Sequence, residues 1–271
     1  MKIFDLHNDF LTEKSKKAAT HYIHSLEHAD IEKIVAAVWS SKYNEKQVVE
    51  MLDFISKYGT KKTILAIEDL HFLTPLNHAN VLKFNPFYVS LTWNNENNLA
   101  GGTNTICGLS AFGEEIVKEF QEYNITIDMA HLSERSFLDV AKISTKEIIC
   151  SHTGCYSQEG SNRNLKDYQI KIIEDSGGIV GLYFVSNFLT PKRTANIEDV
   201  ISHIVYYCTH FNIDNLCIGT DFFGTKHLPQ KLHKYNDFQY LIEGLKKKGF
   251  TDTEIEKILY KNAEYFYITR R

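Results

Sequence analysis

Short runs of apolar, β-branched residues recur along the chain, alternating with segments whose apolar positions return every three or four residues. Eight runs read as strands: residues 3–6, 33–39, 63–67, 87–92, 125–130, 147–151, 179–184 and 216–220. Near-continuous apolarity, rather than strict alternation, suits strands buried on both faces, as in a parallel sheet. Residues 45–58 place Val48, Val49, Leu52 and Ile55 on one helical face, and residues 113–123 do the same with Ile116, Val117 and Phe120. Ser133 opens a helix carrying Phe137, Val140 and Ala141, and further helical periods cover 165–175, 197–211, 237–248 and 251–265. Thr251 followed by Glu254 is a capping box. The weakest helical pattern lies between Glu68 and Phe87.

Strands alternating with helices imply a parallel sheet. Eight such units favour a closed (β/α)8 barrel of TIM type, expected as a single domain over residues 1–271, a length that suits the fold. No Gly-x-Gly-x-x-Gly follows the first strand, which removes the main argument for a dinucleotide fold. A barrel of this type carries its chemistry at the C-terminal ends of its strands.

Composition narrows the function classes. The apolar share of 43% supplies a sizeable core, and a net charge of -4 without blocks of like charge points to neither nucleic acid nor an anionic membrane surface. Lys246 to Lys248 precede Gly249 at an expected helix end, where cations meet the negative end of the helix dipole. The five cysteines are odd in number and none has C-x-x-C spacing, so a disulfide framework is not expected and a reducing compartment fits. Cys150 and Cys155 flank His152 and read as small buried hydrophobes. The N-terminus has no signal-peptide pattern and no run reaches the length of a membrane span, so a cytoplasmic protein without membrane attachment is expected.

The strand ends are where polar residues gather. The first run leads into Asp5-Leu6-His7-Asn8-Asp9, the third into Glu68-Asp69, the fifth into Asp128-Met129-Ala130-His131, the sixth into Ser151-His152 and the eighth into Thr220-Asp221. His7 and Asp9 are two apart and share a face of an extended strand. His131 and His152 come from neighbouring strands, and a carboxylate such as Glu68 can bridge two ions. Imidazole and carboxylate ligands without thiolate suit Zn2+, with Mn2+, Fe2+ and Co2+ compatible. The other histidines (His21, His24, His28, His71, His78, His203, His210, His227 and His233) read as hydrogen-bonded or surface residues, His227 least clearly because it follows the eighth strand.

These segments resemble the membrane (renal) dipeptidase family of zinc metallopeptidases, family M19. Asp5-Leu6-His7-Asn8-Asp9 is similar to the family's Asp-Gly-His-Asn-Asp, and Ala66-Ile67-Glu68 to its Ala-x-Glu. Leu91-Thr92-Trp93-Asn94 resembles its Leu-Thr segment, and Asp128 to Ser133 its Asp-x-Ser-His-x-Ser. Ser151-His152 with Arg163-Asn164 and Asp167 resembles its Ser-His followed by Arg-Asn-x-x-Asp. Gly219 to Gly224 resembles its Gly-Ser-Asp-Phe-Asp-Gly. The likeness runs from residue 3 to about residue 265.

The resemblance implies a binuclear zinc dipeptidase acting on L-Xaa-L-Xaa or L-Xaa-D-Xaa dipeptides through a metal-bridging hydroxide. It implies that His7 and Asp9 hold one zinc, His131 and His152 the other, and that Glu68 bridges. Arg163 would bind the substrate carboxylate, and Asp221 would move a proton between water and the leaving amine. The bland reading of Asp221 is a buried acid supporting a ligand histidine. Many members carry His after Leu-Thr, where this chain has Trp93, so substrate preference on that side should differ. The stretch from Asp9 to Glu68 is shorter than in mammalian members, which leaves a more open mouth or one closed by a partner subunit, as in a homodimer. Two other readings are a metal-dependent amidohydrolase acting on a non-peptide amide or ester, and a non-catalytic barrel serving as a binding module. His-x-Asp in place of His-x-His, and the lack of a lysine on the fourth strand, argue against the first. The presence of all five ligand-type residues argues against the second.

Overall fold

The computed structural model describes residues 1–13, 15–26 and 30–270. Eight parallel strands close into a barrel in sequence order. They are β1 (Ile3–Asn8), β2 (Ile31–Trp39), β3 (Thr63–Glu68), β4 (Tyr88–Ser90), β5 (Thr126–Asp128), β6 (Ile148–Thr153), β7 (Val180–Leu182) and β8 (Leu216–Ile218). All eight expected strands form. β4, β5 and β7 are shorter than their apolar runs, because Leu91, Met129, Ala130, Tyr183 and Phe184 stay buried after the chain has left the ladder, and β8 stops at Ile218 before the buried Thr220.

The helices are α1 (Phe10–Glu13), α2 (Lys16–Leu26), α3 (Glu45–Tyr58), α4 (Ala79–Leu82), α5 (Ala111–Glu122), α6 (Glu134–Ile143), α7 (Asp167–Asp175), α8 (Ser186–Leu189), α9 (Ile197–His210), α10 (Phe238–Lys247), α11 (Asp252–Glu256) and α12 (Asn262–Thr269). α3 coincides with its expected span, and the Asn44 side chain caps it by accepting from Gln47 N at 3.1 Å. The last expected helix is broken into α11, a π-helical turn at Lys257–Lys261, and α12. Ile258, Leu259 and Tyr260 are all buried, a breadth of contact that the wider π turn accommodates. The Thr251–Glu254 capping box is present. α1, α2 and α8 had no counterpart in the sequence expectation.

The apolar residues form two bodies. One packs outward-facing strand residues such as Ile34, Val89 and Ile127 against the surrounding helices. The other gathers Phe4, Leu6, Val35, Tyr88, Ile149 and Cys217 from the strands with Tyr260, Phe266 and Tyr267 from the C-terminal segment. This second body fills the barrel and seals its N-terminal end, leaving the C-terminal mouth for polar groups. The seam between β1 and β8 has a single ladder pair, Asp5 with Ile218. The buried Asp5 carboxylate reinforces it, accepting from Thr220 N at 2.8 Å, Thr220 Oγ1 at 2.7 Å and the Tyr235 hydroxyl at 2.5 Å. Among the described residues no helix is long and apolar enough to cross a membrane. The five cysteines are free; Cys150, Cys155 and Cys217 are buried.

Candidate metal centre

The closed barrel brings His7, Asp9, Glu68, His131 and His152 together at its C-terminal mouth, all of them buried. His7 and Glu68 lie within β1 and β3, and His152 within β6. The pairing of β1 with β2 slips between Asp5 and Asn8, so the strand's regular alternation is interrupted where His7 lies. His131 does not sit on its strand. It follows β5 by three residues and takes a left-handed φ of 66°, as does Asp221 after β8 with φ 59°. His and Asp are among the residues that tolerate this region, and both bends turn the side chain back toward the mouth.

Glu68 stands at the middle of the cluster. Its Oε2 is 3.5 Å from His7 Nε2, and its Oε1 is 2.8 Å from His131 Nε2 and 3.9 Å from His152 Nε2. One oxygen thus faces each half of the site. Nε2 of His131 and Nε2 of His152 approach to 2.9 Å. His7 Nε2 is 3.3 Å from Asp9 Oδ2. Ligand atoms of His7, Glu68 and His152 lie within 4.8 Å of one another, and so do those of His7, Asp9 and Asp221. Asp221 therefore stands at ligand distance from the first pair rather than behind a histidine.

The outer nitrogens of the three rings all meet oxygens. His7 Nδ1 is 2.8 Å from the Tyr88 hydroxyl, His152 Nδ1 is 2.8 Å from Ser151 Oγ, and His131 Nδ1 is 2.8 Å from Asn94 Oδ1. Where Nδ1 donates and Nε2 holds no proton, the Nε2 lone pairs converge on one another and on two carboxylates; around His7 burial is outweighed by Tyr88, Asp9 and Glu68, which raise its pKa well above the usual value and draw positive charge into that space. His7 Nε2 and Asp9 Oδ2 are buried with no hydrogen-bond partner. Facing acceptors repel unless a cation lies between them, so this donor set fits divalent metal. Burial, together with the Arg163 charge, pushes the His131 pKa down to about 4, and burial with the neighbouring histidines pushes His152 down as well. Both rings are accordingly neutral at physiological pH, the form that ligates. Burial and the charge of Asp9 raise Asp221 well above the usual carboxylate range.

A cavity of about 370 Å³ opens over this cluster, with Trp39, Trp93, Arg163, Phe188 and Asp221 among its lining. Trp93 meets Trp39 edge to face at 5.2 Å and lies 6.1 Å from the His131 ring. Arg163 is 8% exposed, and among the described residues its guanidinium has no acidic partner. It also borders an adjoining cavity of about 480 Å³ between α6 and α7. At Gly224 a methyl group would overlap Asp221 Oδ1 and Asp9 Oδ2, so only glycine lets the chain pass the two carboxylates.

Other residues singled out by sequence fall outside the cluster. His203 is buried, with Nδ1 accepting from Cys155 N at 3.0 Å and Nε2 donating to Leu189 O at 3.1 Å. His227 is exposed at the rim of the cavity. His28 lies outside the described residues. The roles of Tyr88 and Trp39 were missed: an aromatic residue in an apolar strand reads as core, and only the closed barrel sets the Tyr88 hydroxyl against His7 and Trp39 in the cavity wall.

Comparison with known proteins agrees with this architecture. The family model for membrane dipeptidase (peptidase family M19) matches residues 61–264. His7 and Asp9 lie before that stretch and rest on their own motif and geometry. A protein of unassigned function from the pqqA 5′ region of Klebsiella pneumoniae is 30% identical over 196 residues, covering 68% of this chain and 70% of that one. The crystal structure of a dipeptidase of family M19 superposes with a TM-score of 0.89 at 20% identity, covering 100% of this chain and 98% of that one. A metallopeptidase from Rhodobacter sphaeroides, liganded with a phosphinate mimic of L-Ala-D-Ala, superposes with a TM-score of 0.86 at 19% identity, covering 100% and 99%. The match over residues 61–264 spans most of the chain, which belongs to the membrane dipeptidase family and is a metallo-dipeptidase.

Proposed function

We propose that the chain is a binuclear zinc dipeptidase that cleaves L-Xaa-L-Xaa or L-Xaa-D-Xaa dipeptides. The observation that carries this reading is the convergence of the three Nε2 atoms on the Glu68 and Asp9 carboxylates, with His7 Nε2 and Asp9 Oδ2 buried and unpartnered. His7 and Asp9 would hold one ion, His131 and His152 the other, and Glu68 would offer one oxygen to each. When bound, the ions supply Lewis acidity, polarising a substrate carbonyl and acidifying a water.

The chain's own residues do the rest. Arg163 offers a planar fork in a water-poor wall, and a buried cation without an acidic partner favours a carboxylate ligand. The C-terminal carboxylate of a dipeptide meets that requirement. Asp221, whose proton affinity is raised beside Asp9, takes the proton of the attacking water and returns it to the departing amine nitrogen. Trp39 and Trp93 form an apolar wall that excludes water from the scissile bond. Because Trp93 stands where many relatives have His, this wall contributes shape and not a proton or a hydrogen-bond acceptor. The L-Ala-D-Ala mimic bound by the Rhodobacter sphaeroides protein supports a dipeptide as the substrate class.

The test is a zinc-loaded assay against a panel of L-L and L-D dipeptides, paired with metal analysis. Two ions per chain and turnover abolished by chelation are expected. Full turnover by a metal-free preparation would sink the proposal.

A further inference from the structure

Each histidine of the centre meets a different partner behind its ring. We propose that Tyr88 and the Ser151–Asp128 pair are positioning residues, each serving one metal position: Tyr88 the position of His7 and Asp9, and Ser151 with Asp128 the position of His131 and His152. The inference rests on the metal-centre reading above.

Tyr88 is fully buried in β4 and has one hydroxyl proton. It donates that proton to Leu6 O at 2.9 Å. Its oxygen can then only accept from His7 Nδ1, 2.8 Å away, so the proton of His7 is fixed on Nδ1 and Nε2 is left bare. The opposite tautomer would set two lone pairs against each other in a buried space. Ser151 works by the same logic with an anion behind it. Its hydroxyl donates to Asp128 Oδ2 at 2.6 Å, so its oxygen accepts from His152 Nδ1 at 2.8 Å. Asp128 is held in turn by the backbone N–H groups of Ser151 at 2.8 Å and Ala130 at 3.1 Å. Ser151 Oγ also lies 3.4 Å from His7 Nδ1, farther than Tyr88, so the phenol is the nearer partner of that ring. Asn94 beside His131 is different in kind. An amide can present either its oxygen or its nitrogen, so it orients the ring without fixing the proton.

Partners of this type usually matter tenfold to a hundredfold for metal affinity. Zinc alone is titrated into the chain labelled with 15N at histidine, whose imidazole signals report the tautomer and the occupancy of each position. Tyr88→Phe is expected to weaken the His7–Asp9 position by about tenfold to a hundredfold and leave the other unchanged. Ser151→Ala is expected to do the reverse. Asp128→Asn keeps the shape and removes the charge, and gives a smaller loss confined to the His131–His152 position, which guards against misfolding of Ser151→Ala. Wild-type affinities at both positions in Tyr88→Phe and Ser151→Ala would overturn this inference alone, as would equal loss at both positions in each. A wild-type chain that takes up no zinc would overturn the metal-centre reading as well.

Discussion

At the scale of single residues, the candidate ligands were legible because each interrupts or ends an apolar run with a residue type that solvent-free strands do not favour. His7, Glu68 and His152 stand out in this way. Arg163 is different: it lies in a loop after β6, and only its motif pointed to it. The structure gives it physical content, since a guanidinium 8% exposed and without an acidic partner is costly unless a ligand completes it. Arg163→Lys keeps the charge and removes the fork. One charge-assisted hydrogen bond, about 1.5–3 kcal/mol, is lost from substrate binding. KM for dipeptides should rise by about tenfold to a hundredfold with the metal content unchanged, as steady-state kinetics and metal analysis would show. An unchanged KM would remove Arg163 from the substrate site. Tyr88 and Asn94 were illegible for the complementary reason: their importance depends on which ring nitrogen lies within 3 Å, and sequence spacing carries no such distance.

At the scale of elements, the alternation of strand and helix was readable because burial on both faces leaves continuous apolar runs. α2 escaped because only Ala19, Ile23 and Leu26 are buried in its 11 residues, a narrow stripe among lysines and histidines. The strand exits were less readable still. β5 and β8 give way to loops whose residues His131 and Asp221 adopt left-handed φ, and nothing in an apolar run announces such a bend. The loop after β8 depends on Gly224, which passes so close to the Asp9 and Asp221 carboxylates that a methyl group cannot be placed without moving one of them. Gly224→Ala should therefore separate site from fold. Thermal stability should change little, because the glycine is exposed and outside any helix or strand, while the His7–Asp9 position loses its geometry. Metal analysis should find fewer than two ions per chain. A fully loaded, fully active Gly224→Ala protein would show that the loop yields freely.

At the scale of the molecule, contacts between loops join the segments around the mouth of the barrel. His203 on α9 joins two of them: it accepts from Cys155 N in the segment after β6 and donates to Leu189 O at the end of α8 after β7. The first of these segments leads to Arg163. The contact from Cys155 requires the neutral ring, and burial lowers the His203 pKa to about 4. In the unfolded chain the ring takes up its proton near pH 6.5, whereas in the folded chain it does so only near pH 4. Because the unfolded state binds the proton first as the pH falls, this group's stabilisation is complete above about 6.5. It is lost progressively between there and about 4, and amounts to about 3 kcal/mol. His203→Gln can present an acceptor to Cys155 and a donor to Leu189 without titrating. Melting temperatures of wild type and His203→Gln, measured in the same metal state, should therefore converge as the pH is lowered from 6.5 to 4, because wild type loses stability over this interval and the variant loses less. Parallel curves through that window would mean that His203 takes up its proton as readily in the folded chain as in the unfolded one, and would overturn the stabilisation assigned to its neutral form.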